Sequence, residues 1–262
     1  MRHSCLEIVI TLGESKPSYL RPRVPFLQGF INLLLKMMTE ISDNADWNKG
    51  EEYDEEDDER EVGNNCLDRL ALSVRDPVVA VLFEQGNVPS MLSHSEWKVR
   101  HTALIAISLV GEGCSDVMKK NLDQVMQCVL PAFNDPNERV RWAACNTIGQ
   151  MATDFAPVIQ KRYHQQILNA VAMVMGDNAN PRVQSYAAAV IINFCEDCKP
   201  KIIEPYLDLL LTNLHRLLTL NSDIVVEQAI IATGAIAECV GSKFSPVSFI
   251  ASLFMFICSL YV

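Results

Sequence analysis

Residues 140–154, VRWAACNTIGQMATD, decide the fold. Val140, Ala144 and Met151 fall on one side of a 3.6-residue helix, while Trp142, Asn146 and Gln150 recur at i, i+4 and i+8 on another. The same pattern returns elsewhere in the chain. VRHTALIAISLVGEG starts at Val99, VQSYAAAVIINFCED at Val183 and VVEQAIIATGAIAEC at Val225. Each has Ala four residues after the Val (Ala103, Ala144, Ala187, Ala229) and a large apolar residue seven further on (Val110, Met151, Phe194, Ile236). The spacings are 41, 43 and 42 residues. A small residue at a fixed place in each copy predicts helices that approach one another closely, copy after copy.

Between these helices lie others of different texture: DPVVAVLFEQGNVPSML, KNLDQVMQCVLPAFN, KRYHQQILNAVAMVM and EPYLDLLLTNLHRLL. Each is followed by a short polar turn, HSEWK, DPNER, DNANPR or NSD, two of which hold Pro136 and Pro181. Each unit therefore reads as helix A, turn, helix B, with no strand pattern. The predicted class is all-α: a right-handed α-solenoid of HEAT repeats, with about five A/B pairs at a period of about 42 residues. The expected boundaries are 1–25 (a B helix alone), 26–75, 76–115, 116–156, 157–199 and 200–241, followed by an atypical apolar tail at 242–262. The chain is expected to begin inside a repeat. The uncharged tail FIASLFMFICSLYV, at fourteen residues, is shorter than the roughly 20 that span a bilayer. It stays open as a buried helix, an anchor or an alternative ending, and neither end shows a polar cap, which suggests a partial chain. HEAT repeats pair Asp and Arg between neighbours as a ladder, expected here from Arg100, Arg141 and Asp135. Gln184 and Val226 interrupt it.

Charge is concentrated in one place. Residues 51–61, EEYDEEDDERE, hold nine carboxylates, and 43–61 carries eleven acids against Lys49 and Arg60, a local net charge of −9 in a chain of −10. The segment falls where a tight turn should join FLQGFINLLLKMMTEIS to NNCLDRLALSV, so it is read as a solvated loop insertion over 43–63. An acidic chain without basic clusters excludes nucleic acid as an expected partner and favours basic proteins.

Little in the chain suggests catalysis. Cys195 and Cys198 form a CxxC in FCEDCKP, but no second pair completes a zinc site and no βαβ pattern supports a redox motif. The five histidines are scattered, and LVGEGCS lacks a phosphate-loop Lys. No enzyme, metal or cofactor is expected, and nine cysteines, most of them inside apolar helical patterns, fit a reduced cytosolic or nuclear protein. The remaining feature is the B-helix surface. Trp142, Asn146 and Gln150 share a face, as do Asn193 and Glu196 near Asp197. Glu112, Thr153, Glu196 and Glu238 stand thirteen residues after the repeated Val. Carboxylates and amides in register suit an extended Lys- or Arg-rich peptide. They also suit plain polar helix ends.

DPNERVRWAACNTIGQMATDFAP, RVQSYAAAVIINFCEDC, EWKVRHTALIAISLVGEGC, and CLDRLAL after an acidic stretch containing DWNKGEE resemble the karyopherin-beta (importin-beta) family of nuclear transport receptors, over about residues 1–246. The resemblance implies a receptor of cytoplasm and nucleus that carries Lys-rich cargo, such as ribosomal proteins or histones, through the nuclear pore. It implies nucleoporins and the small GTPase Ran as partners. It maps an acidic loop for Ran binding and cargo release to Glu51, Glu52, Asp54, Glu55, Glu56, Asp57, Asp58 and Glu59. It maps a cargo groove to Asn146, Gln150, Asp154, Asn193, Glu196 and Asp197, to which the register reading adds Trp142 and Glu238. Family members are several times longer, the repeats holding most Ran contacts lie outside this sequence, and the tail after Pro246 departs from the family. The competing expectation is a general HEAT interaction scaffold or a non-functional truncated isoform.

Overall fold

Ala103, Ala144, Ala187 and Ala229 are each fully buried, and so are the Val110, Met151, Phe194 and Ile236 that follow them, the expected seam of helix-on-helix packing. The computed structural model describes residues 2–43, 47, 59–84, 87–177 and 180–244, which are helix and turn with no strand among them. The α-helices are α1 (Arg2–Ser15), α2 (Pro17–Leu20), α3 (Val24–Met38), α4 (Glu59–Val74), α5 (Asp76–Val79), α6 (Asn87–Leu92), α7 (Trp97–Leu109), α8 (Ser115–Lys120), α9 (Leu122–Val129), α10 (Glu138–Asp154), α11 (Val158–Met175), α12 (Pro181–Glu196), α13 (Pro200–Ile203), α14 (Leu207–Leu217) and α15 (Asp223–Val240). They form two compact units, one of Met1–Asn44 with Glu52–Ala132, the other of Ala45–Glu51 with Phe133–Val262.

Three of the A positions are more broken than their apolar patterns suggest, while α3 and α11 run whole, and proline accounts for much of the difference. DPVVAVLFEQGNVPSML runs as α5, a π-helical turn at Ala80–Glu84, and α6, because Pro89 can neither donate to nor sit against the carbonyl four residues back. Pro131 likewise turns the end of α9 into a 3-10 turn (Leu130–Asn134), and Pro205 separates α13 from α14 with another (Glu204–Tyr206). The B positions hold no interior proline and run unbroken for 13 to 18 residues as α7, α10, α12 and α15.

In the first unit, α4 packs on α1, α3 and α7. Leu27, Ile31 and Leu34 of α3 and Leu67, Leu70 and Ala71 of α4 form its center, all fully buried. Arg69 of α4 grips two carboxylates of α1 one heptad apart, Glu7 at 3.0 Å and Glu14 at 2.8 Å, and holds the Glu14 carboxyl below its usual range. Thr102 of α7 donates to the Met38 carbonyl that ends α3, at 3.0 Å. The turn after α7 presses Gly113 onto α4: a methyl there would sit 2.5 Å from the Ala71 carbonyl carbon and 2.6 Å from the Leu72 nitrogen. Only glycine allows that approach.

In the second unit, α12 lies between α10 and α15, with α11 and α14 packed alongside. Asn137 caps α10 by accepting from the Arg139 amide at 2.9 Å, and Asn180 caps α12 ahead of Pro181 by accepting from the Val183 amide at 3.2 Å. Arg141 pairs with Asp177 in the next turn (Nε to Oδ2, 3.0 Å) and donates to the Asp135 carbonyl at 2.8 Å. The ladder contact of Arg141 is thus made forward to Asp177, and with Asp135 it engages the backbone oxygen. Where Gln184 replaces the Arg, its amide donates to the Met175 carbonyl closing α11 at 3.0 Å, and Arg216 donates to the same oxygen. The interrupted ladder is continued by other donors. Helix α15 is apolar and long enough to cross a membrane by length and composition. Its stripe of Val225, Ala229, Ala232 and Ile236 is instead fully buried.

Two stability tests follow from these contacts. Gly113→Ala is expected to cost about 1–3 kcal/mol, read as a lower urea midpoint with an unchanged slope. Its neighbour variant Glu112→Ala should stay within about 0.5 kcal/mol. Arg141→Ala leaves Asp177, whose side chain is 17% exposed, without its guanidinium. A loss of about 2–3 kcal/mol is expected, a little under the cost of breaking a fully buried pair. Arg141→Lys should recover less than half of it, because an ammonium cannot reproduce the fork. A full recovery by Lys would mean that charge alone matters there.

Candidate functional site

The outer row of α10 carries Trp142, Asn146 and Gln150, turned away from the seam of Val140, Ala144 and Met151, and Asp154 ends the helix; none of these four is buried. Gln150 Nε2 donates to Asp154 Oδ1 at 3.0 Å, so these two act as one polar group. On α12, Asn193 donates from Nδ2 to the Gly149 carbonyl at 3.2 Å and ties the two helices together, leaving its amide oxygen for other partners. Glu196, at the end of α12, and Asp197, just beyond it, are exposed, as is Glu238 near the end of α15. The second unit therefore presents three exposed carboxylates at the C-terminal ends of adjacent B helices, with Asp154 at the end of α10. Glu112 is also exposed but belongs to the first unit. Glu59 opens α4, where its charge suits the helix N-terminus. The remaining acidic-loop candidates, Glu51, Glu52, Asp54, Glu55, Glu56, Asp57 and Asp58, lie outside the described residues.

At the other end of the row, Trp142 sits in an aromatic cluster that its spacing alone could not reveal. Its ring lies 4.9 Å from Tyr186 of α12 and 6.1 Å, edge-on at 83°, from Trp47 of the acidic segment. Two guanidiniums flank Trp47: those of Arg139 and Arg182 are each 5.0 Å from its ring center. Arg182 also lies 5.7 Å from Trp142 and reaches the Trp47 carbonyl at 3.4 Å. Arg139 is itself buried. These are cation–π distances, and the weak hydration of a guanidinium makes Arg the suited cation for such a stack.

The site thus has two chemical ends: aromatic rings that accept cations, and carboxylates that pair with them. An extended peptide bearing Lys or Arg fits both, since the side-chain stems can lie on the rings while the charged heads reach acids. Trp47, Tyr186, Arg139 and Arg182 were not among the sequence candidates. Tyr186 was legible from its place one turn along the exposed row of α12, whereas Trp47 is 95 positions from Trp142 (47 against 142) and nothing in the local pattern joins them.

Residues 1–80 match the importin repeat family model and residues 97–151 the HEAT-like repeat model. Importin subunit beta-3 of Saccharomyces cerevisiae is 38% identical over 252 residues, which is 93% of this chain and 23% of that protein. A probable importin-5 homolog of Dictyostelium discoideum is 29% identical over 136 residues, covering 51% of this chain and 12% of its own length. The solved structure of Kap121p bound to RanGTP superposes with a TM-score of 0.92 at 34% identity, over 99% of this chain and 26% of that one. Kap121p has also been solved bound to Nup53p and to Pho4p. The fold is the HEAT-repeat α-solenoid of those receptors. The chain belongs to the karyopherin-beta (importin-beta) family, and it spans about a quarter of the length of the relatives it matches.

Proposed function

We propose that the exposed B-helix face of α10, α12 and α15 binds a Lys-rich import signal on a cargo protein, and that Trp47 of the acidic segment competes for the aromatic end of that face. The observation that carries this reading is the seat of Trp47 between Arg139 and Arg182 and against Trp142: a residue from the most acidic stretch of the chain occupies the cation-accepting rings. Cargo cations would meet Asp154, Glu196, Asp197 and Glu238 first and then displace Trp47 to reach Trp142 and Tyr186. The acidic segment, brought to the groove by Trp47, would in turn speed cargo release. Ran-linked release, nucleoporin contact and passage between cytoplasm and nucleus come to this chain by kinship with receptors solved bound to RanGTP and Nup53p.

A fluorescent Lys-rich peptide titrated in a salt series tests the charge part. Affinity should fall about tenfold between about 0.05 and 0.5 M salt, since exposed pairs are screened over roughly 8–10 Å. The triple variant Glu196→Gln/Asp197→Asn/Glu238→Gln should weaken binding about tenfold, from about 0.5 kcal/mol per exposed pair. Unchanged affinity in that variant would remove the groove from the account. Trp47→Ala tests the competition separately: tighter binding, by about threefold to tenfold, is expected, while weaker binding would make Trp47 part of the peptide's own site. No binding by any of these proteins would favour a scaffold role for the repeats.

A further inference from the structure

The CxxC motif closing α12 gains a third thiol from α15. Cys195 lies in the last turn of α12 and is buried; Cys198 follows two residues after that helix and is half-buried; Cys239, also half-buried, stands in the last turn of α15. The Cys239 thiol donates to the Cys198 carbonyl at 3.5 Å, and its sulfur is within hydrogen-bonding reach of both the Cys195 and the Cys198 thiols. Neither half of this cluster is a site alone, because the pair and the third thiol are 41 positions apart and meet only through the packing of α12 on α15. The other helix cysteines are different: Cys66, Cys114 and Cys145 are buried singly in apolar seams.

From this cluster we infer a peroxide-sensitive dithiol site, with Cys239 as the attacking thiolate and Cys198 as the resolving thiol, whose product is a Cys198–Cys239 disulfide joining the α12 end to α15. The electrostatics agree with these roles. Hydrogen bonds from the Cys195 and Cys198 thiols pull the Cys239 thiol down to about 7, while burial and the neighbouring sulfurs push Cys198 up to about 12 and Cys195 up as well. The cluster thus makes Cys239 the most readily ionised of the three thiols. Burial pushes Cys114 up to about 12 and raises Cys66 and Cys145, which keeps those thiols inert.

The step balances with a hydroperoxide as oxidant. The Cys239 thiolate attacks one peroxide oxygen, the O–O bond breaks, and Cys239 becomes a sulfenic acid as hydroxide leaves. The Cys198 sulfur then attacks the Cys239 sulfur. An S–S bond forms, the S–O bond breaks, and the departing hydroxide takes the Cys198 proton as water. Two electrons pass from the two thiols to the peroxide.

The whole chain, fully reduced, is treated with hydrogen peroxide at pH 7 and digested without reductant for mass spectrometry. The expected product is a Cys198–Cys239 cross-linked peptide pair, two hydrogens lighter than its components and restored by dithiothreitol. Before oxidation, limiting iodoacetamide should label Cys239 at least about tenfold faster than Cys128, a half-buried thiol whose ionisation is suppressed by burial. Cys198→Ser should stop the cross-link and leave a Cys239 sulfenic acid that dimedone traps. Cys239→Ser should prevent both the cross-link and the adduct. The assignment is overturned if wild-type protein gives no cross-link, if it links between chains, if Cys239 labels no faster than Cys128, or if Cys198→Ser still closes a disulfide through Cys195.

Discussion

The close approach of B helices at a buried alanine is the constraint on which the rest of the second unit depends. Ala144, Ala187 and Ala229 lie on α10, α12 and α15, and each is wholly excluded from solvent. A side chain larger than methyl at those points would spread α12 from both neighbours. The Asn193 bond to the Gly149 carbonyl, 3.2 Å long, and the Cys239 bond to the Cys198 carbonyl, 3.5 Å long, would both be lost. A hydrogen bond fails within a few tenths of an ångström beyond such lengths. Helix spacing is therefore what gives the polar contacts between helices their geometry.

The same seam decides which residues are left for binding. Once Val140, Ala144 and Met151 face inward, Trp142, Asn146 and Gln150 have to face away, and a large ring becomes available on the exposed side of a helix whose other side is fully packed. An exposed Trp beside a Tyr is costly to leave wet, and Trp47 covers it. Arg139 and Arg182 contribute cation–π contacts while keeping their charge near the acidic segment that carries Trp47. The ring contacts hold Trp47, one described residue of a segment whose net charge is −9.

Periodic features were legible in the sequence because they repeat. Four copies of Val, Ala and a later large apolar residue are enough to place α7, α10, α12 and α15, and the turn sequences set their starts. The A helices were less so: the apolar stretch from Asp76 to Leu92 reads as one helix by composition, yet Pro89 divides it, a local steric effect that hydrophobic periodicity does not register. Contacts made once are harder still. Trp47 meets Trp142, and Arg141 meets Asp177, through distances fixed by the stacking of whole helices. The CxxC was visible and was set aside for want of further ligands. The missing thiol was one repeat away, at a position where the other aligned B helices have Gly113, Asp154 and Asp197.

That last alignment bears on how the site and the thiols are related. The repeated register puts Glu196 and Asp197 beside Cys195 and Cys198, and Glu238 beside Cys239. The ends of α12 and α15 therefore each present a sulfur beside the carboxylates offered to a cation. In the reduced state the two ends are joined by a weak S–H bond to a carbonyl, worth little against thermal motion. A covalent S–S bond in its place would fix the Cys198 and Cys239 sulfurs about 2 Å apart and with them the separation of Asp197 from Glu238. Carboxylates held at one spacing favour cations at the matching spacing and lose the freedom to follow others. Oxidation at the α12–α15 end would then alter which basic peptides fit the face without changing any carboxylate on it.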